Sequence, residues 1–377
     1  MKSAVRDLER RLVQATSASE CLATLLDIAN HHATAFHNRE GLRAAREALN
    51  IARVRSDSLS IGRALGSATL CHYQRGDYVA AVATGLDAVE AYADGDLLGR
   101  SHALQSIALA LLSVEQLDLA ESVAARAVAD ARASGDAPRE AGALCVHGSI
   151  LADQGHFNAA RRQFRRAGAT FRLQRDPVRQ KKAISNLGHT YRNQADAHEL
   201  AGLAQGRFYL KQALRVYGIA LATGRTDADA DDAIILGGIA ECECRLGNLD
   251  AAFAAITRAL ALARDNESLV ILAPCMLWEG RILKAMGDLD GSARALERAV
   301  QAAESLEDKA SLAECLVALC AVEDQRGRFE RATDLERRAA RVMAERATLL
   351  ARVRTELGPL WERYTAERPA AAPGNAA

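Results

Sequence analysis

The chain is poor in aromatics, which make up 4% of its residues, and in proline, of which 377 residues contain 6. It carries no net formal charge, with 48 basic residues against 48 acidic ones. No apolar run approaches the roughly 18 residues that a bilayer span needs, and the start, MKSAVRDLERRLVQATSASE, has no apolar core of signal-peptide type. Each scarcity excludes something. Few prolines leave few segments barred from helix. Charge neutrality removes any global attraction to nucleic acid or to an anionic membrane. Without a leader the chain is expected to be cytoplasmic, and its 8 cysteines then read as thiols, not as a disulfide framework.

Catalytic signatures are missing as well. No phosphate loop, nucleophile elbow or HExxH occurs. Cys242-x-Cys244 lacks the paired spacing of a zinc site. His31 and His32 are adjacent and would point about 100° apart on a helix, and with His37 they find no cysteine or carboxylate to complete a metal site. The expectation is a non-enzyme without cofactor or metal.

What the sequence does have is alanine, leucine and a period. Turn signals recur at Arg75-Gly-Asp-Tyr78, Gln154-Gly-His-Phe157, Leu246-Gly-Asn-Leu249, Met286-Gly-Asp-Leu289 and Arg326-Gly-Arg-Phe329. The last three glycines, 247, 287 and 327, are spaced by 40, and 76 to 155 is two periods. Between those two lies Glu115-Gln-Leu-Asp118, a turn without its glycine. Five residues after each glycine comes a small residue, Ala81, Ala160, Ala252, Ser292 or Ala332. Seven later comes another, Ala88, Ala167, Ala259, Ala299 or Ala339. Ala120 and Ala127 keep the same count after the turn that lacks glycine. Small residues so spaced share one helical face and let two helices cross closely. A second punctuation, as in Ser134-Gly-Asp136, Arg175-Asp176 and Glu307-Asp308, ends one helix and caps the next. Each period is therefore helix, tight turn, helix, short loop.

This pattern resembles the tetratricopeptide repeat (TPR) in its longer form of about 40 residues, known from bacterial regulatory and sensory arrays. Leu187-Gly188 with Tyr191, Gly76-Asp77-Tyr78 with Ala81 and Ala88, and Gly155 with Phe157, Ala160, Phe164 and Ala167 carry the resemblance. It implies an all-α fold, a right-handed α-solenoid of about eight helix-turn-helix units over residues 19–345, starting near 19, 58, 97, 137, 177, 228, 268 and 309. Residues 1–18 would hold an N-terminal capping helix, 346–367 capping or coiled-coil helices interrupted at Gly358-Pro359, and 368–377 a disordered tail. The stripe Met343, Leu350, Val353, Leu357, Leu360 and Tyr364 could cover the last open core face, form a homodimer seam, or lead toward an output domain.

The resemblance also implies a function: a non-catalytic scaffold that binds a protein or peptide segment along the first helices of its units, or a sensor of a small ligand or signalling peptide that changes solenoid shape. Counting back from each turn selects inward positions. Units five to seven offer Lys182, Ser185, Asn186, His189, Arg192, Asn193, Arg245, Trp278, Arg281 and Lys284, and units two and three add Tyr73, Gln74 and Gln105. Asn amides can bond an extended peptide backbone, and Lys and Arg can bind a carboxylate. A basic run, Arg161, Arg162, Arg165, Arg166, Arg172, Arg175, Arg179, Lys181 and Lys182, is expected on an outer surface, either solvated or facing an acidic partner; RNA is disfavoured because no aromatic platform is interleaved. Unit five breaks the count. About 13 extra residues near 195–207 separate Asn193 from the small positions Ala213 and Ala220, and they are expected to lengthen both helices of that unit by roughly 10 Å.

Overall fold

A computed structural model describes residues 2–34, 37–92, 95–224, 230–265 and 268–367. The described residues form helices and turns, without strands. After α1 (Lys2–Gln14) the helices come in pairs: α2 (Ala18–Thr34) with α3 (Asn38–Val54), α4 (Ser58–Gln74) with α5 (Tyr78–Tyr92), α6 (Leu97–Ser113) with α7 (Leu117–Ala133), and α8 (Ala137–Asp153) with α9 (Phe157–Leu173). Then come α10 (Pro177–Leu200) with α11 (Gly206–Ala222), α12 (Ala230–Leu246) with α13 (Leu249–Asp265), α14 (Leu269–Ala285) with α15 (Leu289–Ser305), and α16 (Lys309–Gln325) followed by α17 (Phe329–Glu367). The expected disordered tail, residues 368–377, lies outside the described residues.

The two punctuation marks work as the sequence predicts. Gly76, Gly155, Gly247, Gly287 and Gly327 all take left-handed backbone, with φ from 73° to 91°. The turn without glycine keeps the same geometry, with Glu115 at φ 61°. Asp57, Asp96, Asp136, Asp176 and Asp308 each accept a backbone N–H from the first turn of the next helix. All the small positions, from Ala81 and Ala88 to Ala332 and Ala339, are buried. Near-uniform helix length follows from this spacing. From α2 to α16 every helix has 17 residues except α5, with 15, and α10, with 24.

The chain divides into two compact units, Met1–Gln154 with Ala351–Ala377, and Gly155–Leu350. Within each, helices pack on their sequence neighbours. First helices also touch first helices, α2 to α4 to α6 to α8 in one unit and α10 to α12 to α14 to α16 in the other, while no such contact joins second helices among the described residues. The first helices thus form the crowded inner row and the second helices the spread outer row, as in an α-solenoid. In the first unit a buried bidentate pair, Arg100 Nε and Nη2 on Asp130 at 2.7 and 2.9 Å, ties α6 to α7.

The sequence predicts a break at Gly358-Pro359, but α17 runs through it to Glu367. Proline deprives the Thr355 carbonyl of its partner, yet Thr355, Glu356 and Pro359 are all exposed, so water can take that carbonyl and the helix continues. Of the apolar stripe, Leu350, Val353 and Leu357 are buried within the chain, whereas Met343 stays half exposed. Arg354, in the first unit, donates Nε–H to the Val114 carbonyl at 3.0 Å and pairs through Nη2 with Glu115 at 2.9 Å.

The extra residues of unit five are distributed differently from the expectation. Helix α10 gains seven residues over the 17-residue norm, roughly 10 Å at the usual rise. Helix α11 keeps 17 but starts a turn early relative to its own small positions, Ala213 and Ala220, which are fully buried in register. It therefore gains a turn on one side and loses it on the other. The lengthened end of α10 is held down, because Asp196 and Glu199 both reach Arg245 of α12, at 2.5 and 2.8 Å, and Ala195 is fully buried.

Candidate functional site

The inner row of the second unit is built from α10, α12, α14 and α16. Its richest helix, α10, carries Lys182, Ser185, Asn186, His189, Arg192 and Asn193 along the inward positions. The structure divides this set into groups tied down internally and groups left available.

Arg192 and Arg245 are tied down. Glu241 of α12, buried, receives Arg192 Nη1 at 3.0 Å and Arg245 Nη1 at 3.1 Å. Arg245 also holds Asp196 and Glu199. Burial opposes the charge on Arg192, yet Glu241 first, then Tyr217 and Asp196, hold its pKa above the ordinary arginine value. For Arg245 burial again opposes the charge, and Asp196 and Glu199 outweigh it. Two guanidiniums face three carboxylates, so this network has no cationic surplus. The expectation that Arg192 and Arg245 serve a partner's carboxylate is therefore corrected: an incoming anion would meet the existing acids first.

Ser185 and His189 are also engaged, through a residue that the sequence reading did not single out. Tyr217 comes from the second helix α11, is fully buried, and passes between α10 and α12 where Gly188 and Gly238 leave room. Its hydroxyl lies 2.9 Å from His189 Nδ1, and His189 Nε2 lies 3.4 Å from Ser185 Oγ. Burial, aided by the charge on Arg192, lowers the His189 pKa to about 3, so the ring is neutral at physiological pH. With Nδ1 unprotonated it accepts from the tyrosine, and Nε2–H faces the serine. A signal existed: paired glycines on facing inner helices, and tyrosine at the position held by Phe164, Ile256 and Leu296 in other units. A Cβ on Gly188 would sit 2.5 Å from the Tyr217 ring. Gly188→Ala is expected to destabilise by about 2 kcal/mol through overpacking. Gly218→Ala, on α11 with nothing within 4 Å, should instead stabilise by roughly 0.5–1 kcal/mol through helix propensity. Urea unfolding of the two variants checks the opposite signs.

Lys182 is exposed, with Asp231 of α12 at 3.8 Å, while its neighbour Lys181 is buried and bonded to Asp232 at 2.9 Å. That placement corrects part of the basic run: Lys181 faces inward, and Arg161 is buried too, bonded to Gln194 and Asn158 and stacked 4.8 Å over Tyr191. The side chains of Asn186, Asn193 and Lys284 are partly exposed and make no hydrogen bond or ion pair among the described residues. Trp278 packs partly on the α12–α14 core, and Arg281 stacks 4.7 Å over its ring while pairing with Glu314 at 2.8 Å. In the other unit, Gln74 bonds the Ala33 carbonyl at 3.0 Å, joining α4 to α2, and Gln105 bonds Ser101 at 3.3 Å. Burial raises the Tyr73 pKa, consistent with a packed ring. These three side chains pack and bond within the first unit.

The cysteines are free thiols, with Cys71, Cys242, Cys275 and Cys315 buried. Burial pushes Cys242 up to about 12 and Cys71 to about 11, which makes both inert as nucleophiles. No group of three metal-ligating side chains occurs among the described residues, and no helix there is long and apolar enough to cross a membrane.

Paired helices with left-handed turn residues, buried small positions and an inner row of first helices define the class. The chain has the tetratricopeptide-repeat fold, an all-α solenoid. The family model described as Anaphase-promoting complex subunit 5 matches residues 6–76, 234–286 and 282–326, less than half of the chain. Among solved structures, the chain is similar to aspartyl phosphate phosphatase F from Bacillus subtilis, at 13% identity and TM-score 0.56, covering 91% of this chain and 88% of that one. It is similar to the apo quorum sensor NprR from B. thuringiensis, at 13% identity and TM-score 0.53, covering 87% and 100%. It is also similar to the Rap conjugation gene regulator of the plasmid pLS20 in complex with the Phr* peptide, at 14% identity and TM-score 0.53, covering 89% and 98%. Comparison with curated proteins gave no match.

Proposed function

We propose that the protein is a non-catalytic, cytoplasmic regulatory adaptor of bacterial type that holds an extended peptide segment of a partner against the inner row of α10, α12 and α14. The observation that carries this reading is the division described above. The buried charged groups of α10 and α12 neutralise one another, while Asn186, Asn193 and Lys284 keep unbonded side chains and the exposed Lys182 has only a 3.8 Å contact to Asp231, on the same inner row that carries the Trp278 ring. Asn side chains supply both a donor and an acceptor, which suits the backbone of an extended peptide, and Trp278 offers an apolar edge. The recognised segment is thus read mainly through its backbone, with no demand for a terminal carboxylate.

A signalling peptide, in place of a segment of a larger partner, is the second reading. It is favoured by the likeness to the quorum sensor and to the regulator solved with the Phr* peptide. In either case the solenoid would respond by small changes per repeat that add along the array.

The test is affinity capture with wild type and with Asn186→Ala/Asn193→Ala/Trp278→Ala. Each lost contact is expected to weaken binding by about tenfold, so the triple variant should lose its partner. Equal recovery of the same partner by both proteins would sink the proposal.

A further inference from the structure

The outer row of the second unit carries a feature that the inner-face reading does not use. Helix α9 holds five arginines and α11 two arginines and a lysine, and neither helix contains an acidic residue. In a chain of zero net charge this is a local segregation of charge. Later in the same unit several basic residues of outer helices are paired, Arg298 with Glu279, and Arg331 and Arg338 of α17 with Glu297 and Glu304 of α15, and acidic residues share those helices. On α9 and α11, by contrast, Arg162, Arg172, Lys211 and Arg215 are exposed and carry no ion pair among the described residues. Arg165 is exposed as well and donates to the Tyr191 hydroxyl at 3.3 Å.

Apolar surface accompanies the charge. A cleft of about 230 Å³ opens between α9 and α10, with Phe164, Gly168, Ala183, Ile184 and Leu187 on its floor and Arg165 and Arg172 at its rim. Gly168 keeps the floor open, since a Cβ there would find its nearest neighbour, Ala183 Cβ, at 3.8 Å. Ile184 and Tyr191 of α10 also pack on the α11 cluster that includes Leu214, so the apolar floor continues toward α11. On α11, Phe208 and Ile219 are 56% and 50% exposed on either side of Lys211 and Arg215.

We propose that this outer α9–α11 surface docks an acidic amphipathic segment of a protein partner, whose carboxylates meet the unpaired arginines and lysine while an aliphatic or aromatic side chain enters the cleft over Gly168. Guanidiniums suit bidentate carboxylates, and complementary charge speeds encounter and selects the partner's sign. The apolar cleft favours a peptide over a polyanion, because a nucleic-acid strand or lipid headgroup has no matching apolar anchor, and among the described residues of this surface Phe208 is not part of a row of exposed aromatics that could stack bases.

The test uses the full chain and fluorescence anisotropy of a labelled peptide of Asp and Glu flanking one Leu-Phe pair, at moderate salt. Arg165→Glu/Arg172→Glu and Lys211→Glu/Arg215→Glu are each expected to weaken binding by about tenfold or more, with the exposed, unpaired Arg294→Glu on α15 as an unaffected control. Gly168→Leu fills the cleft and leaves the charge intact; it should weaken binding by roughly tenfold, and replacing the Leu-Phe pair by serines should do the same. Asn186→Ala/Asn193→Ala/Trp278→Ala should leave this binding unchanged, which separates failure here from failure of the inner-face reading. The proposal is overturned if the peptide does not bind saturably. It is equally overturned if Gly168→Leu binds as wild type, or if single-stranded RNA or phosphatidylserine vesicles displace the peptide at equal charge concentration.

Discussion

Acidification is expected to destabilise this protein by about 2 kcal/mol between roughly pH 6.5 and pH 4.5 through His189 alone. The cause is the setting of the ring, among Tyr217, Ser185 and the charged Arg192, where burial lowers its pKa from 6.5 to about 3. In the unfolded chain the imidazole takes a proton near its ordinary pKa, while in the folded chain it stays neutral until about pH 3. The unfolded state therefore binds more protons throughout that window, and stability, complete above the ordinary pKa, is lost as the pH falls. The full shift would imply a larger figure, but solvent still reaches part of the ring, which reduces the effect. His189→Gln keeps a neutral acceptor for the Tyr217 hydroxyl and removes the titration. Its urea midpoint should depend less steeply on pH across that window; a variant with the same slope as wild type would exclude His189 as the source.

Glu241→Ala should cost about 3 kcal/mol, because removing one partner of a buried ionic network leaves the other charge without compensation. Arg192 would lose its carboxylate while remaining packed between α10 and α12, and Arg245 would keep only Asp196 and Glu199. Glu241→Gln retains hydrogen-bond acceptance and should cost less, on the order of 1 kcal/mol. Lys182→Ala provides the contrast: its ion pair is 3.8 Å long and its side chain exposed, so a change below about 0.5 kcal/mol is expected. Urea unfolding of the three variants should rank them in that order. If Glu241→Ala proves as mild as Lys182→Ala, the network does not hold α10 to α12.

The inner-face residues show where reading from sequence stops. Inward register is a matter of counting, and the count puts Arg192, Arg245 and His189 at inward positions of their helices. Whether an inward arginine is available or spent depends on what the neighbouring helix presents. Glu241 is 49 residues from Arg192, and Asp232 is 51 from Lys181. No periodicity links these pairs, because they follow from how α10 and α12 are stacked. Tyr217 is a similar case: its position on α11 is an ordinary core position, and only the glycines at 188 and 238 let its hydroxyl pass through to His189. The extension of unit five was visible as a break in the count, but its division between the two helices was not. That division depends on Arg245 offering a double ion pair to the lengthened end of α10.

By itself, the sequence determined the all-α solenoid, the pairing of helices and the positions of the turns. These are local properties, set by left-handed residues, Asp caps and small side chains repeated every 40 residues. Tertiary structure alone decided which polar groups are occupied. Ion pairs between helices some fifty residues apart consume most of the cations on α10 and α12, whereas Arg162 and Arg172 on α9 and Lys211 and Arg215 on α11 carry no ion pair among the described residues. The reason is physical: a repeat specifies each helix's faces, but compensation of charge is a property of the neighbours those faces meet.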